Sequence, residues 1–212
     1  MNVNEINVQK TALLFFDMLN VYYHGATEEK KARMRPVVAN AVRLLEAARR
    51  APLPVFYAMA NHRRDGAIRY QAVTDTDMQL RPWPNGDCNQ PIHGATEGSW
   101  EQQIIEELKP LPEDTIIPKY RWNTFHQTYF DLALRARGLD TIIISGGAVE
   151  IGVASTAYAG RDLDYHLIIV RDACSNSRDD SMAIFMDKIF PRMARVRTTD
   201  QVIELIEKGN VR

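Results

Sequence analysis

Residues 146–160 read GGAVEIGVASTAYAG and follow the apolar run TIIIS at 141–145. A β-branched run, then two glycines, then small helix-forming residues predict a strand end, a tight turn and a helix start. In open α/β sheets, ligands and reacting groups gather at the carboxyl ends of the strands, beside such turns. What this turn presents is therefore the first question about function. A nucleophile is expected near Gly152, and that position has no side chain. The doubled glycine is no dinucleotide fingerprint, because G-x-G-x-x-G is absent.

Outward from the turn, strand and helix patterns alternate. TALLFFDM (11–18), LPVFYAMA (53–60), DTIIPK (114–119), DTIIIS (140–145) and HLIIVRDA (166–173) are continuous apolar runs of the kind buried on both faces of a parallel sheet. A short sixth strand and a terminal helix are read in ARVRTTDQVIELIEKG (194–209). Between them, residues 28–50 place Val37, Val38, Ala41, Leu44, Leu45 and Ala48 at helical spacing, with a bend or break expected at Pro36. Further helices are expected over SWEQQIIEELKPL (99–111, capped by Ser99), HQTYFDLALRARG (126–138, closed by Gly138), 149–163, and SRDDSMAIFMDKIF (177–190, capped by Ser177). Six strands alternating with helices predict an α/β fold, a six-stranded parallel sheet with helices on both faces, in one domain over 1–212. The stretch 61–97 breaks this rhythm. It holds His62, Trp83, Cys88 and His93 among prolines and glycines, and reads as a long functional loop.

Composition excludes several classes of partner. The net charge is −1 with 25% charged residues, so no basic surface for nucleic acid or a membrane is expected. No apolar run approaches the length of a bilayer span. The polar start MNVNEINVQK has no signal-peptide core, and only two cysteines occur, so a reducing cytoplasm is the expected location. Cys174 reads as a small buried hydrophobe. The five histidines show no H-x-x-H or H-E-x-x-H spacing, so no metal is expected, and no cofactor either. Trp100 reads as packing, and Trp122 equally as packing or as a pocket wall.

At the predicted strand ends stand Asp17, Asn61 with His62, Lys119, and the 146–152 turn. An acid at the end of an apolar strand needs a partner, and Lys119 is its natural one. The pair reads either as a catalytic acid with its base or as a structural ion pair.

Three motifs together, FFDMLN (15–20), IIPKYRWNTFHQT (116–128) and IIISGGAVEIGVASTAYAG (142–160), resemble the isochorismatase-like, or cysteine hydrolase, superfamily in order and spacing. The resemblance covers about residue 11 to the C-terminus and implies the Rossmann-like fold of those hydrolases. It places the family's Asp on Asp17, its nearby Asn on Asn20, its Lys on Lys119, and its nucleophilic Cys on Gly152. Isochorismatases proper also lack the thiol and carry an Ile-Gly pair there, as Ile151 and Gly152 do here. They resemble this chain further at Lys119, Arg121, Phe125 and His126. That branch hydrolyses a vinyl ether without a covalent intermediate. The resemblance thus implies Asp17 as a general acid whose proton is kept by burial and opposed by Lys119. Lys119 would orient the substrate, and Arg121 would clamp a carboxylate. Asn20, Asn61, Phe125, Glu150, Ile151 and Gly152 complete the implied substrate site.

The chain departs from that branch at Glu150, where isochorismatases carry a histidine. It also departs at Ala60–Asn61, where a glutamine follows the second strand in the family, and in the longer 61–97 stretch. The metal-binding members' D-x-H cluster is absent from NHRRDG, which has only His62 and Asp65. The resemblance also implies a non-proline cis peptide at Ala148–Val149, aiming the amides of Ile151 and Gly152 into the crevice. The partners expected are a small-molecule substrate and further copies of the chain in a homo-oligomer. Two other readings stay open: an amide or C–N hydrolase using Cys88 or direct water attack, and a catalytically silent binding protein.

Overall fold

The apolar runs become six parallel strands in a computed structural model that describes residues 3–65, 94–176 and 180–210. They are β1 (Thr11–Phe16), β2 (Val55–Ala60), β3 (Thr115–Lys119), β4 (Thr141–Gly147), β5 (His166–Ser175) and β6 (Arg195–Arg197). Their order in the sheet is β3-β2-β1-β4-β5-β6, with every pair parallel. The order reverses direction between β1 and β4. The crevice outside the carboxyl ends of those two strands is thus the topological switch point. Trp83, Cys88, His93 and Ser177 lie outside the described residues.

Alternation along each strand sends side chains to two cores. Leu13, Phe15, Val55, Tyr57, Ile143 and Ile168 face one side, packed with Val38, Leu44 and Ala48 of α1 (Glu28–Arg50) and Val202 and Ile206 of α5 (Thr199–Asn210). Leu14, Phe16, Phe56, Ile142, Ile144 and Ile169 face the other. That side is covered by α2 (Phe130–Arg135), α3 (Ala154–Asp162) and the segment that starts with α4 (Ser181–Ile184). Helices on both faces are what continuous apolar strands require.

Helix α1 runs through Pro36 without ending, so of the bend or break expected there the break does not occur. Pro36 sits on the exposed side of the helix, while Met34, Val38 and Ala41 form the buried stripe. The carbonyl that loses its intrahelical donor there can be hydrated, so the break is not enforced. The side chain of Thr27 caps the first turn by accepting from the Lys30 amide at 3.4 Å.

The expected helix over 99–111 does not form; only a 3₁₀ turn at Glu106–Leu108 is helical. Instead this segment pairs with the chain just after β1. The amides of Asn20 and Val21 donate to the carbonyls of Gln103 and Glu101, and the Ile105 amide donates to Met18. Strand-like pairing across the fold outweighs a local helical pattern here. Ser99 still caps a turn, accepting from the Gln102 amide at 3.3 Å. The helix expected over 126–138 is confined to α2. Before it, Thr128 and Asn123 side chains bond to the backbone at Thr124, Phe130 and Phe125, which holds turns instead. Among the described residues no helix is long and apolar enough to cross a membrane.

Candidate active site

Asp17 leaves β1 in the left-handed region, with φ of 49°, a conformation that a short polar side chain tolerates. Its amide still bonds Ala58 of β2. The turn lays its carboxylate over the ends of two neighbouring strands. Oδ1 accepts from the Ala60 amide at the end of β2, at 2.8 Å. Oδ2 accepts from the Nζ of Lys119, the last residue of β3, at 2.7 Å. The side chains are only 11% and 5% exposed, so the pair is held away from bulk water, where attraction is weakly screened. The ammonium also lies 4.5 Å from the centroid of the Phe16 ring, within cation–π range.

The turn after β4 closes the other side. β4 continues through Gly147 beside Ser175 of β5, two residues beyond the expected strand end. Gly146 has φ of 115° and lies opposite Phe16 in the β1–β4 register; a Cβ there would collide with the Phe16 backbone. The cis peptide stands at Gly147–Ala148, one residue before the expected Ala148–Val149, at the point where the ladder to β5 ends. Residues 149–153 then form one wide turn that leads into α3. The Ile151 amide, expected to face the crevice, donates to the Ala148 carbonyl at 3.2 Å. Glu150 and Ile151 are half-buried on this turn and Gly152 is buried. A Cβ built on Gly152 would overlap Cε1 and Cζ of Phe16, so that ring occupies the space a side chain at 152 would need.

Around this centre the expected residues separate. Asn20 is buried, and its amide nitrogen donates to the Trp100 carbonyl at 3.0 Å, tying down the segment that follows Asp17. Asn61 lies beside the Lys119 backbone, and its Oδ1 accepts from Gln102 at 2.5 Å. Arg121 is half-buried just past β3 and donates to the Tyr120 carbonyl at 2.7 Å. Phe125 is not brought to the strand ends: its ring packs 4.8 Å from Phe130 and 5.6 Å from Tyr165, in the helix layer. Five residues on from Lys119, the chain has already turned onto α3, where the Thr124 amide bonds Thr156. His126 is exposed. Trp100 is exposed rather than packed, because its segment follows the rim, and Trp122 is exposed as well.

Three residues of this region were not singled out by the sequence. Phe16 read only as part of an apolar run. Gln102 is buried; its Nε2 donates to Ala60 and Asn61, and its Oε1 accepts from the Gly98 amide, so it bolts the rim to the end of β2. Tyr22 lies on the 3₁₀ turn Asn20–Tyr22 after Asp17. Its ring keeps an exposed flank beneath Lys30, whereas burial and the negative charge of Asp17 push its hydroxyl well above the usual phenol range. The one available signal was a polar aromatic five residues after Asp17.

Cys174 is buried in β5, and its thiol is pushed up to about 12, chiefly by desolvation. At neutral pH it is a thiol packed in the core, not a nucleophile. Among the described residues, no group of three His, Cys, Asp or Glu side chains is arranged to hold a metal ion. What the crevice offers is a carboxylate, a cation beside it, and backbone in place of a nucleophile.

Residues 11–201 match the isochorismatase domain model. The chain is 32% identical over 208 residues to the uncharacterized isochorismatase family protein YwoC of Bacillus subtilis, covering 98% of this chain and 100% of that one. It is 28% identical to the ureidoacrylate amidohydrolase RutB of Pseudomonas savastanoi pv. phaseolicola, covering 81% of this chain and 73% of that protein. Among solved structures, a cysteine hydrolase from Pseudomonas syringae pv. phaseolicola superposes with a TM-score of 0.79 at 27% identity, covering 96% of this chain and 95% of that one. The chain belongs to the isochorismatase family of hydrolases.

Proposed function

We propose that this member of the family hydrolyses a vinyl ether, or a related bond, in a small carboxylate-bearing metabolite by acid catalysis, with no covalent intermediate. One observation carries the reading. The position that the family resemblance assigns to a cysteine is Gly152, and the Phe16 ring fills the space beside it. The one thiol among the described residues, Cys174, is buried and protonated. Covalent hydrolysis needs an accessible, activated nucleophile, and none stands at this turn.

In the proposed reaction, the substrate carboxylate draws the Lys119 ammonium toward itself, with Arg121 as a second cation at the rim. Asp17, relieved of that partner, carries a proton and delivers it to the terminal vinyl carbon. The ether carbon becomes an oxocarbenium, to which a water oxygen adds. The water proton returns to Asp17, and the hemiketal collapses to a ketone and an alcohol. Asp17 begins and ends protonated, and one water is consumed.

A second reading is favoured by RutB, whose name is that of an amidohydrolase. In it, Asp17 acts as a base for water attacking an amide or ureido carbon. Purified protein assayed in parallel for ketone release from carboxylate-bearing vinyl ethers and for ammonia release from ureido compounds separates the two. Vinyl-ether turnover that survives Cys88→Ser is the expected result. Ammonia release without ketone release would replace the first reading with the second. Loss of turnover in folded Cys88→Ser would overturn the non-covalent mechanism itself. We propose further that the working form is a cytoplasmic homo-oligomer; a monomeric mass by light scattering would overturn that.

A further inference from the structure

We infer that Phe16 is a positioning residue whose ring holds the Lys119 ammonium on its face and bars any side chain from position 152, so that Phe16 and Gly152 together decide whether this site can carry a covalent nucleophile. The inference rests on the non-covalent reading above and adds the residue that enforces it.

Phe16 ends β1, one residue before Asp17, and is 1% exposed. Its side chain points to the opposite face of the strand from Phe15, into the core beneath α3. There the ring has two neighbours of functional consequence. The Lys119 ammonium stands 4.5 Å from its centroid, while the same ammonium bonds Asp17. The distal ring atoms Cε1 and Cζ lie where a Cβ on residue 152 would project. One ring thus links the end of β3 to the turn after β4 across β1, around the acid. An ammonium with one N–H on a carboxylate and its charge over an aromatic face is held in a defined direction. The same ring leaves no room for a thiol. A small aliphatic residue at 16 would surrender both functions at once, because it lacks the face and the two distal atoms.

The test uses the full-length protein and needs no substrate. Gly152→Ala is expected to lower the melting temperature by about 5 °C or more in the wild-type background, and by less than about 1 °C in Phe16→Leu, which removes the obstructing atoms. An equal drop in both backgrounds would overturn the steric coupling. In proton NMR the Lys119 ε-methylene signal, identified by its loss in Lys119→Met, is expected upfield from the ring current. It should move downfield in Phe16→Leu and stay in place in Phe56→Leu, a change to another buried ring of the same core. A signal unmoved by Phe16→Leu, or moved equally by both, would leave Phe16 as packing only.

Finally, Phe16→Leu/Gly152→Cys is expected to carry a thiol at 152 that iodoacetamide alkylates with a pH midpoint about one unit or more below that of a free thiol, located by peptide mapping. Gly152→Cys alone is expected to be destabilised. A reactive thiol at 152 with Phe16 intact and the melting temperature unchanged would overturn the proposal, as would an inert one in the double variant. Loss of wild-type turnover in Cys88→Ser would reject the proposed function while leaving these outcomes unaffected.

Discussion

The Nζ of Lys119 stands 2.7 Å from the Oδ2 of Asp17, although 102 positions separate them in the chain. The sheet order puts β2 between β1 and β3, so the carboxylate reaches across the end of β2 and takes the Ala60 amide on its other oxygen. One side chain gathers three strand ends. The parallel fold brings their carboxyl ends to a single edge, and the left-handed turn at Asp17 aims the acid along it.

Asp17→Asn should cut turnover on the best substrate by roughly 100-fold or more while changing ligand affinity little, because the shape is kept and the transferable proton is removed. Lys119→Met should cost about 3 kcal/mol of stability by denaturant unfolding, since it strands a largely buried carboxylate. The double variant should regain at least half of that stability and none of the activity. Wild-type turnover in Asp17→Asn would end the acid-catalysis mechanism.

Cys174 predicts an alkaline loss of stability. In the unfolded chain the thiol ionises near 9.0, whereas in the fold it holds its proton to about 12. Below pH 9 both states are protonated and the buried thiol adds no pH dependence. As pH rises from the unfolded toward the folded value, the unfolded state alone loses a proton, and stability falls by about 1.4 kcal/mol per unit. Urea titrations between pH 9 and 10.5 should therefore give a shallower slope for Cys174→Ala than for wild type. Identical slopes would mean that the thiol is not buried as described. Turnover of Cys174→Ala at neutral pH should stay near that of wild type.

Tyr22→Phe removes the hydroxyl and keeps the ring. We expect kcat/KM to fall by about tenfold, because the hydroxyl is coupled to the charge of Asp17, with little change in melting temperature. Kinetics indistinguishable from wild type would place the hydroxyl outside the reacting region.

Gln102→Ala deletes the hydrogen bonds that join Gly98, Ala60 and Asn61. Three such bonds in a buried setting predict a loss of about 2–4 kcal/mol in chemical unfolding. A loss below about 0.5 kcal/mol would show that the rim is held by the 101–105 backbone pairing alone.

The strands, the sheet's parallel sense, and the meeting of Asp17, Lys119 and the 146–152 turn at one edge were all legible in the chain. They follow from local facts: apolar runs of strand length, helices between them, and polar residues at the run ends. Gly152 was legible too, as a missing side chain. What tertiary structure alone decided were relations through space. Residues 99–105 carry a helical pattern, yet the chain after β1 offers unpaired amides, and pairing with them prevails. Phe125, six residues from Lys119, looks like a site residue until the Thr124–Thr156 bond turns the chain onto α3 and sends the ring into the helix layer. Phe16 looks like one more apolar residue in a run. Only the folded sheet sets its ring against both Lys119 and Gly152, because periodicity records which face a side chain takes but not what stands there to meet it.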